Sequence, residues 1–328
     1  MKIAACGNWV WGKETDPAVL LPWFAGGSVH GGIEVKRNAR RVVYRVTAQD
    51  GKNYFAKLEK SGCLLFRNKA KIEFEAGRML HDAGIPCVEF AACGRRGLHE
   101  TILVSRAEEN VVEAREYFFS VAAADPIRRN AFLSALLALQ QKMKENQIRH
   151  RDFHAGNILV REEPNGACSL LLVDPLEVSR AGCAKKFELA RILNDFAPLL
   201  TAEEALALAE NDPELLASVV ADRKTKCCRE WEKRKVQILS GNSKFSRTVT
   251  LTDGRTFEVA STPWYKPGIM PEDLSRYPVE TYSAEDAEQR WLEMFRARLE
   301  GRPVPCCYLL RERCGKEDRL YRFPESNS

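Results

Sequence analysis

The stretch HRDFHAGN (150–157) and the segment after it constrain this chain more than any other feature. NILV runs into REEPNGAC and then SLLLV, so two short apolar runs flank Pro164-Asn165-Gly166. A proline and an Asn-Gly pair between such runs read as a hairpin turn. Asn157 stands just before the outgoing strand and Asp174 just after the returning one. Antiparallel pairing is expected to bring those two ends together. Asp152 lies on the loop leading in, five residues before Asn157. Three oxygen-bearing side chains are therefore expected at one end of one hairpin. Two of them suit a hard divalent cation such as Mg²⁺, and the third can accept a proton from a hydroxyl.

Phosphoryl transfer needs this set: metal on the phosphates and a carboxylate orienting the nucleophile. The order H-R-D-x-x-x-x-N is the catalytic-loop pattern of kinases, and an independent aspartate follows a strand in VDPLEV. Asp152 is thus the expected catalytic residue, with Asn157 and Asp174 as metal ligands. The rest of such a site should lie upstream. IEVK (33–36), RVVYRVTA (41–48) and NYFAKLE (53–59) read as strands, the last two split by a Gln49-Asp50-Gly51-Lys52 turn. Lys57 on the third strand is placed to reach the phosphates of ATP. A helix follows, with Ile72, Ala76, Met79, Leu80 and Ala83 on one face and a stop at Gly84-Ile85-Pro86. Glu73 and Glu75 could both pair with Lys57. Glu73 lies nearer the apolar face and is the choice. The glycines of AGGSVHGG (25–32) read as a lead-in loop, and Lys36 through Arg41 are the residues that could touch phosphate by charge.

Beyond these, ETILVSRA (100–107) is a strand, and Phe132, Leu136, Leu139 and Met143 mark a helix over 127–147. Further helices are expected at 184–200, 202–210 and 213–236. The remainder predicts a hairpin at 248–259, a helix near 284–300 and a strand at CCYLLRER. The fold class expected is α+β, a protein-kinase-like two-lobe fold. A small N-terminal antiparallel sheet with one helix precedes a larger, mostly helical lobe. The boundaries are 1–104 for the nucleotide-binding lobe, 105–240 for the catalytic lobe, and 241–328 for an extension of unknown role.

Composition narrows the alternatives. The chain has 328 residues, 45% hydrophobic and 29% charged, an ordinary globular balance. No apolar run could span a bilayer, and MKIAACGNWVWGKETDP has no h-region, so a cytoplasmic protein is expected. Eleven cysteines form no C-x-x-C pair, and reduced thiols are the simpler reading. His150, Asp152 and His154 would share a face if they lay on a strand, as zinc or iron ligands could. Gly156 and the strand start after it argue for a loop instead. The net charge of +5 is concentrated in KRNARR and in 223–235. Anionic partners are allowed, and no nucleic acid is expected. The 213–236 helix also carries Asp222, Glu230 and Glu232, so a mixed solvated surface is its default.

Over residues 33–200 the chain resembles the bacterial lipopolysaccharide core kinases, the heptose and Kdo kinase group of the protein-kinase-like superfamily. The resemblance is carried by VKRNARRVVYRV, YFAKLE, EFEAGRMLHDAGIP, TILVSRA, HRDFHAGNIL and LLVD. The register of EFEAGRMLHDAGIP in that group also favours Glu73. KKFELARIL is similar to the helix that anchors the large lobe, with Glu188 where an aspartate is common. The resemblance implies ATP and Mg²⁺ as cofactors and a lipopolysaccharide sugar hydroxyl as acceptor. It also implies work at the inner face of the cytoplasmic membrane, peripherally attached. There are departures. Asp174 is followed by Pro175-Leu176 where D-F-G would be, Asn157 stands where the heptose kinases often carry histidine, and no A-P-E segment is visible. A small-molecule or protein Ser/Thr kinase, or an inactive kinase-like binding module, would use the same residues.

Overall fold

Alternation of apolar and polar residues builds the first sheet. The computed structural model describes residues 9–13, 15–20, 31–60, 68–96, 100–122, 125–164, 166–180, 185–241, 245–260, 273–302 and 308–322. Most of the AGGSVHGG segment lies outside them. The chain divides into two compact units. One comprises Met1–Val111, Lys142–His150 and Leu171–Ala181, the other Val112–Gln141, Arg151–Leu170 and Gly182–Ser328.

The first unit is built on strands β1 (Val10–Trp11), β2 (Ile33–Arg37), β3 (Arg41–Thr47), β4 (Asn53–Lys60), β5 (Phe90–Arg96) and β6 (Glu100–Arg106), with a short helix α1 (Pro17–Leu20) and a longer one, α2 (Lys69–Asp82). The sheet order is β1-β5-β6-β4-β3-β2, antiparallel throughout. Gly51 closes the β3–β4 turn at φ +78°, a conformation glycine adopts without strain. On β4, Tyr54, Ala56 and Leu58 point into a core with Val46, Ile102 and Val104. The period of two sends Lys57 to the opposite face. Asn68 caps α2 by accepting from Lys71 N–H, and Gly84 ends it at φ +67°. The buried face of α2 is Ala70, Glu73, Phe74, Ala76, Gly77 and Leu80, while Ile72 and Met79 are half-buried. The helix is thus rotated from its sequence-read stripe. Gly77 is the local reason: a Cβ there would lie 2.3 Å from Phe90 Cδ2 on β5, so only glycine lets the helix approach on this side. That rotation turns Glu73 inward and leaves Glu75 exposed.

The chain continues through β7 (Val111–Glu113), α3 (Ala114–Tyr117), a π turn at Phe118–Ala122, α4 (Pro126–Glu145), β8 (Ile148–His150), β9 (Ile158–Glu162), β10 (Cys168–Leu172) and β11 (Val178–Arg180). The four apolar residues expected along α4 are all buried. In the first unit, β8 pairs with β11, which sets the fully buried His150 opposite Val178. Leu172 also bonds both ways with the loop before β5, donating to Pro86 O at 3.0 Å and accepting from Val88 N at 3.0 Å. These bonds fasten the segment that carries Asp174. In the second unit, Phe118, Phe132 and Phe196 pack ring against ring, with centroids 4.8 Å (Phe118–Phe196) to 5.7 Å (Phe132–Phe196) apart.

The rest of the second unit holds α5 (Lys185–Phe196), α6 (Ala202–Leu208), α7 (Pro213–Leu239), β12 (Ser246–Thr250), β13 (Thr256–Ala260), β14 (Val279–Ser283), α8 (Ala284–Glu300), β15 (Tyr308–Cys314) and β16 (Glu317–Arg322). The last five strands form one antiparallel sheet in the order β12-β13-β15-β16-β14. Trp291 and Phe295 of α8 share a core with Phe257, Leu309 and Leu310. Sequence reading finds the β12–β13 hairpin, α8 and β15, and misses β14 and β16. On β16 the alternation is hidden because one of its charges, Asp318, is buried and paired with Arg311 of β15. Arg311, 4% exposed, donates to Asp318 at 2.8 Å and to Glu258 at 3.4 Å. A buried ion set like this holds together only while each charge keeps its partners. Among the described residues the protein is mixed α/β with antiparallel sheets and eight α-helices, none long and apolar enough to cross a membrane.

Candidate active site

In the first unit one ammonium is shared by two carboxylates. Lys57 Nζ donates to Glu73 Oε1 at 2.9 Å and Oε2 at 2.7 Å, and to Asp174 Oδ1 at 2.7 Å. Arg41 reaches Asp174 Oδ2 and Glu59 Oε2, each at 3.5 Å. The two carboxylates respond in opposite directions. Burial pushes Glu73 up to about 7 against the pull of Lys57. Burial also pushes Asp174 upward, but Lys57 and then Arg41 outweigh it and hold this carboxyl below its usual range. The deeper group loses more hydration, while the half-exposed one keeps enough for its cations to decide. Asp174 has φ +53° and ψ +52°, left-handed backbone in a residue that is not glycine. Pro175 bars the residue before it from the right-handed helical region, and aspartate tolerates the left-handed one better than most side chains. Lys36 is exposed on the edge strand β2 and takes no part in the cluster. Glu75 pairs across a helical turn with Lys71 at 3.7 Å on the surface.

In the second unit the loop 151–157 carries the other sequence-predicted residues. Asn157 Nδ2 donates to Asp152 O at 3.0 Å and lies 3.4 Å from Asp152 Oδ2. With its nitrogen engaged in the loop, the Asn157 side-chain oxygen is the atom left for a ligand. His154 Nε2 lies 3.5 Å from Asp152 Oδ2, and its Nδ1 accepts from Gly156 N–H at 3.0 Å. His154 had no role in the sequence reading; here it props the loop from within. A Cβ on Gly156 would lie 2.9 Å from the His154 ring and 3.1 Å from an Arg115 nitrogen, so a side chain there would push against both.

Two residues that sequence reasoning missed complete this half. Asp195, 3% exposed, accepts from the Ala155 N–H at 2.8 Å and lies 3.7 Å from Arg115. Asp195 is an α5 carboxylate that bonds the loop, seven residues after the Glu188 singled out in the sequence. It lies two turns further along, and the signal available was the Asn194-Asp195 pair ending an apolar helix. Arg191, one turn before Asp195, approaches Asp152 Oδ1 at 3.7 Å.

The sequence matches the profile of the lipopolysaccharide kinase (Kdo/WaaP) family over residues 23–218. Among solved structures, one of WaaP in complex with acyl carrier protein is 20% identical, with a TM-score of 0.48, and the match covers 70% of this chain and 97% of that one. Comparison with curated proteins finds no match. Since the family profile spans more than half of its length, this chain belongs to the lipopolysaccharide kinase (Kdo/WaaP) family, phosphotransferases that act on a hydroxyl of a lipopolysaccharide core sugar.

Proposed function

We propose that residues 1–104 bind ATP, that the loop in 105–240 carries the chemistry, and that 241–328 is a C-terminal extension, in a protein-kinase-like two-lobe fold. Lys57 holds the nucleotide phosphates, and Glu73 holds Lys57. Arg41 and the exposed Lys36 add positive charge for the phosphates. The observation that carries the reading is the single ammonium shared by Glu73 and Asp174, three residues from stretches far apart in sequence. A lysine so placed is tied down, and the lysine–glutamate pair is what a kinase site uses to set the phosphates.

Mg²⁺ would be held by Asp174 and Asn157, each of which, taken by itself, offers an oxygen donor of the kind it prefers. Asp174 offers a carboxylate kept ionised by its cations, and Asn157 offers a neutral oxygen. Among the described residues no three His, Cys, Asp or Glu gather as a metal cage. Magnesium does not need one, since it is commonly bound by one or two protein oxygens plus substrate phosphates and water. When bound, the ion neutralises charge on the transferring phosphate. Asp152 orients the acceptor hydroxyl and takes its proton as the oxygen forms a bond to the γ-phosphorus. The bond from that phosphorus to the β–γ bridging oxygen breaks, and ADP leaves. His154 and Arg191 steady the Asp152 carboxylate, and Asp195 holds the loop backbone. The acceptor is a lipopolysaccharide sugar, met at the inner face of the cytoplasmic membrane through peripheral contact.

The test is a thermal shift with ATP, with and without Mg²⁺, on wild type and Asp174→Ala. Stabilisation that requires both Mg²⁺ and Asp174 is expected. Equal stabilisation of the two proteins would remove Asp174 from the site, and no shift in either would leave a kinase-like binding module.

A further inference from the structure

The 151–157 loop is tied to α5 through Asp195, and α5 is held in turn by residues from much later in the chain. Arg223 of α7 forks across one turn of α5. It donates from Nη1 to Ala190 O at 2.6 Å and from Nη2 to Asn194 Oδ1 at 2.9 Å. Nη2 also donates to Arg298 O of α8 at 3.1 Å. Arg298, 8% exposed, donates from its own Nε to Asn194 O at 3.3 Å. That carbonyl lies in the last turn of α5, where an arginine suits the negative end of the helix. Gly301 ends α8 at φ +73° and leaves room for the fork, since a Cβ there would lie 2.7 Å from Arg223 Nε and 2.9 Å from its Cδ.

Hydrogen-bond polarity runs one way along these contacts. A guanidinium can only donate, so it takes Asn194 Oδ1 and leaves Asn194 Nδ2 to donate to Asp195 Oδ1 at 3.2 Å. The other Asp195 oxygen accepts the Ala155 N–H at 2.8 Å. The line from Arg298 O through Arg223, Asn194 and Asp195 to the loop backbone is unbroken. Charge follows the same route. Burial pulls Arg223 down to about 10, and the Asp195 carboxylate opposes that most. The guanidinium therefore stays a cation at neutral pH, and the two charges offset each other's burial.

Arg223, Arg298 and Gly301 all lie past residue 218, where the match to the family profile ends. We propose that Arg223 is a positioning residue for phosphoryl transfer, setting the Asp152 loop through Asn194 and Asp195. This rests on the reading of Asp152 as the base. The extension beyond residue 241 enters the support of the site through Arg298 and Gly301, so the C-terminal part of the chain serves the chemistry without touching the substrates.

Amide hydrogen exchange across 151–157 in the full chain tests this, read beside steady-state hydrolysis of ATP with Mg²⁺ and water as acceptor. The variants are Asn194→Ala, Arg223→Met and the two together. Each break in the line should speed exchange at Ala155 about tenfold or more, the size of a lost charge-assisted hydrogen bond. The buried amides of α4 and β15 should keep their protection. The double variant should exchange no faster than the faster single one, because both cut the same line. Turnover should fall about tenfold or more while KM for ATP holds, since a misplaced base costs rate and not nucleotide binding. Exchange at Ala155 unmoved in Asn194→Ala and in folded Arg223→Met would overturn the proposal. So would additive effects in the double variant, or protection lost evenly over α4 and β15. If Arg223→Met does not fold, Asn194→Ala decides alone, because it cuts the line without removing a charge. Faster exchange in a protein whose wild type hydrolyses no ATP rejects the kinase reading, whereas ATP hydrolysis with exchange unmoved rejects the positioning role alone.

Discussion

The ion cluster of the first unit and the 151–157 loop of the second are built in opposite ways. Lys57, Glu73 and Asp174 come from a strand, a helix and a turn, and each is held chiefly by the others. Asp152, His154 and Asn157 come from one short loop whose backbone is pinned by bonds such as Asp195 to Ala155 N–H. A cluster of mutual partners should therefore fail as a unit, whereas a loop fixed through its backbone should tolerate losing one side chain and lose only chemistry.

The sharpest way to break the comparison is Asp152→Ala. Transfer should fall about 10²- to 10⁴-fold, the usual contribution of a positioned acid or base. ATP affinity and melting temperature should hold. A melting point that drops with activity would show that the loop depends on its side chains as the cluster does.

Glu73→Gln comes next and is read through pH. Glu73 has a folded value of about 7 against 4.5 when free. The folded state therefore holds this proton more tightly, so its contribution is full below about 4.5 and is lost as pH rises through about 7. The span is worth roughly 3 kcal/mol at most. Denaturant titrations from pH 4.5 to 8 should show wild type losing stability where Glu73→Gln stays flat. Asp174 is shifted the other way, so its contribution is lost only as pH falls through the acid range. Parallel curves for the two proteins would mean that Glu73 does not titrate there.

Asp195→Ala tests the backbone side. It leaves the buried Ala155 N–H without its acceptor, at a cost of about 1–3 kcal/mol. Stability and turnover should fall together, and an unchanged kcat would mean that the loop has other support. The smallest effect is expected of Glu75→Ala. Its exposed pair with Lys71 is worth about 0.3–0.5 kcal/mol. ATP affinity should not move, in contrast with any change at Glu73. Loss of ATP affinity would mean that the surface glutamate matters to the site.

The same contrast explains what the sequence could reveal. HRDFHAGN is local, so its pattern survives in the linear chain. Lys57 was legible because a two-residue period places it opposite Tyr54, Ala56 and Leu58. Helical angle favoured Glu73 over Glu75, yet it could not see that Gly77 against Phe90 sets the rotation. Asp195 was hidden because a carboxylate at a helix end looks like any solvated one until the loop it bonds is placed beside it. β16 was hidden for a related reason. Asp318 is spent on Arg311 of β15 inside the sheet, and a reading that sends charge to water discards it.

The Asp174-Pro175 turn has a consequence for time. The proline ring fixes one torsion of the turn, and the residue before it is held in a conformation with few neighbours. Many enzymes spend most of each cycle waiting for a segment to swing into place. Here the segment after the aspartate has almost nowhere to swing, and it is already fastened through Leu172 on one side and β11 on the other. In the function proposed above, Asp174 would meet each new nucleotide in the same pose, without a segment first having to rearrange.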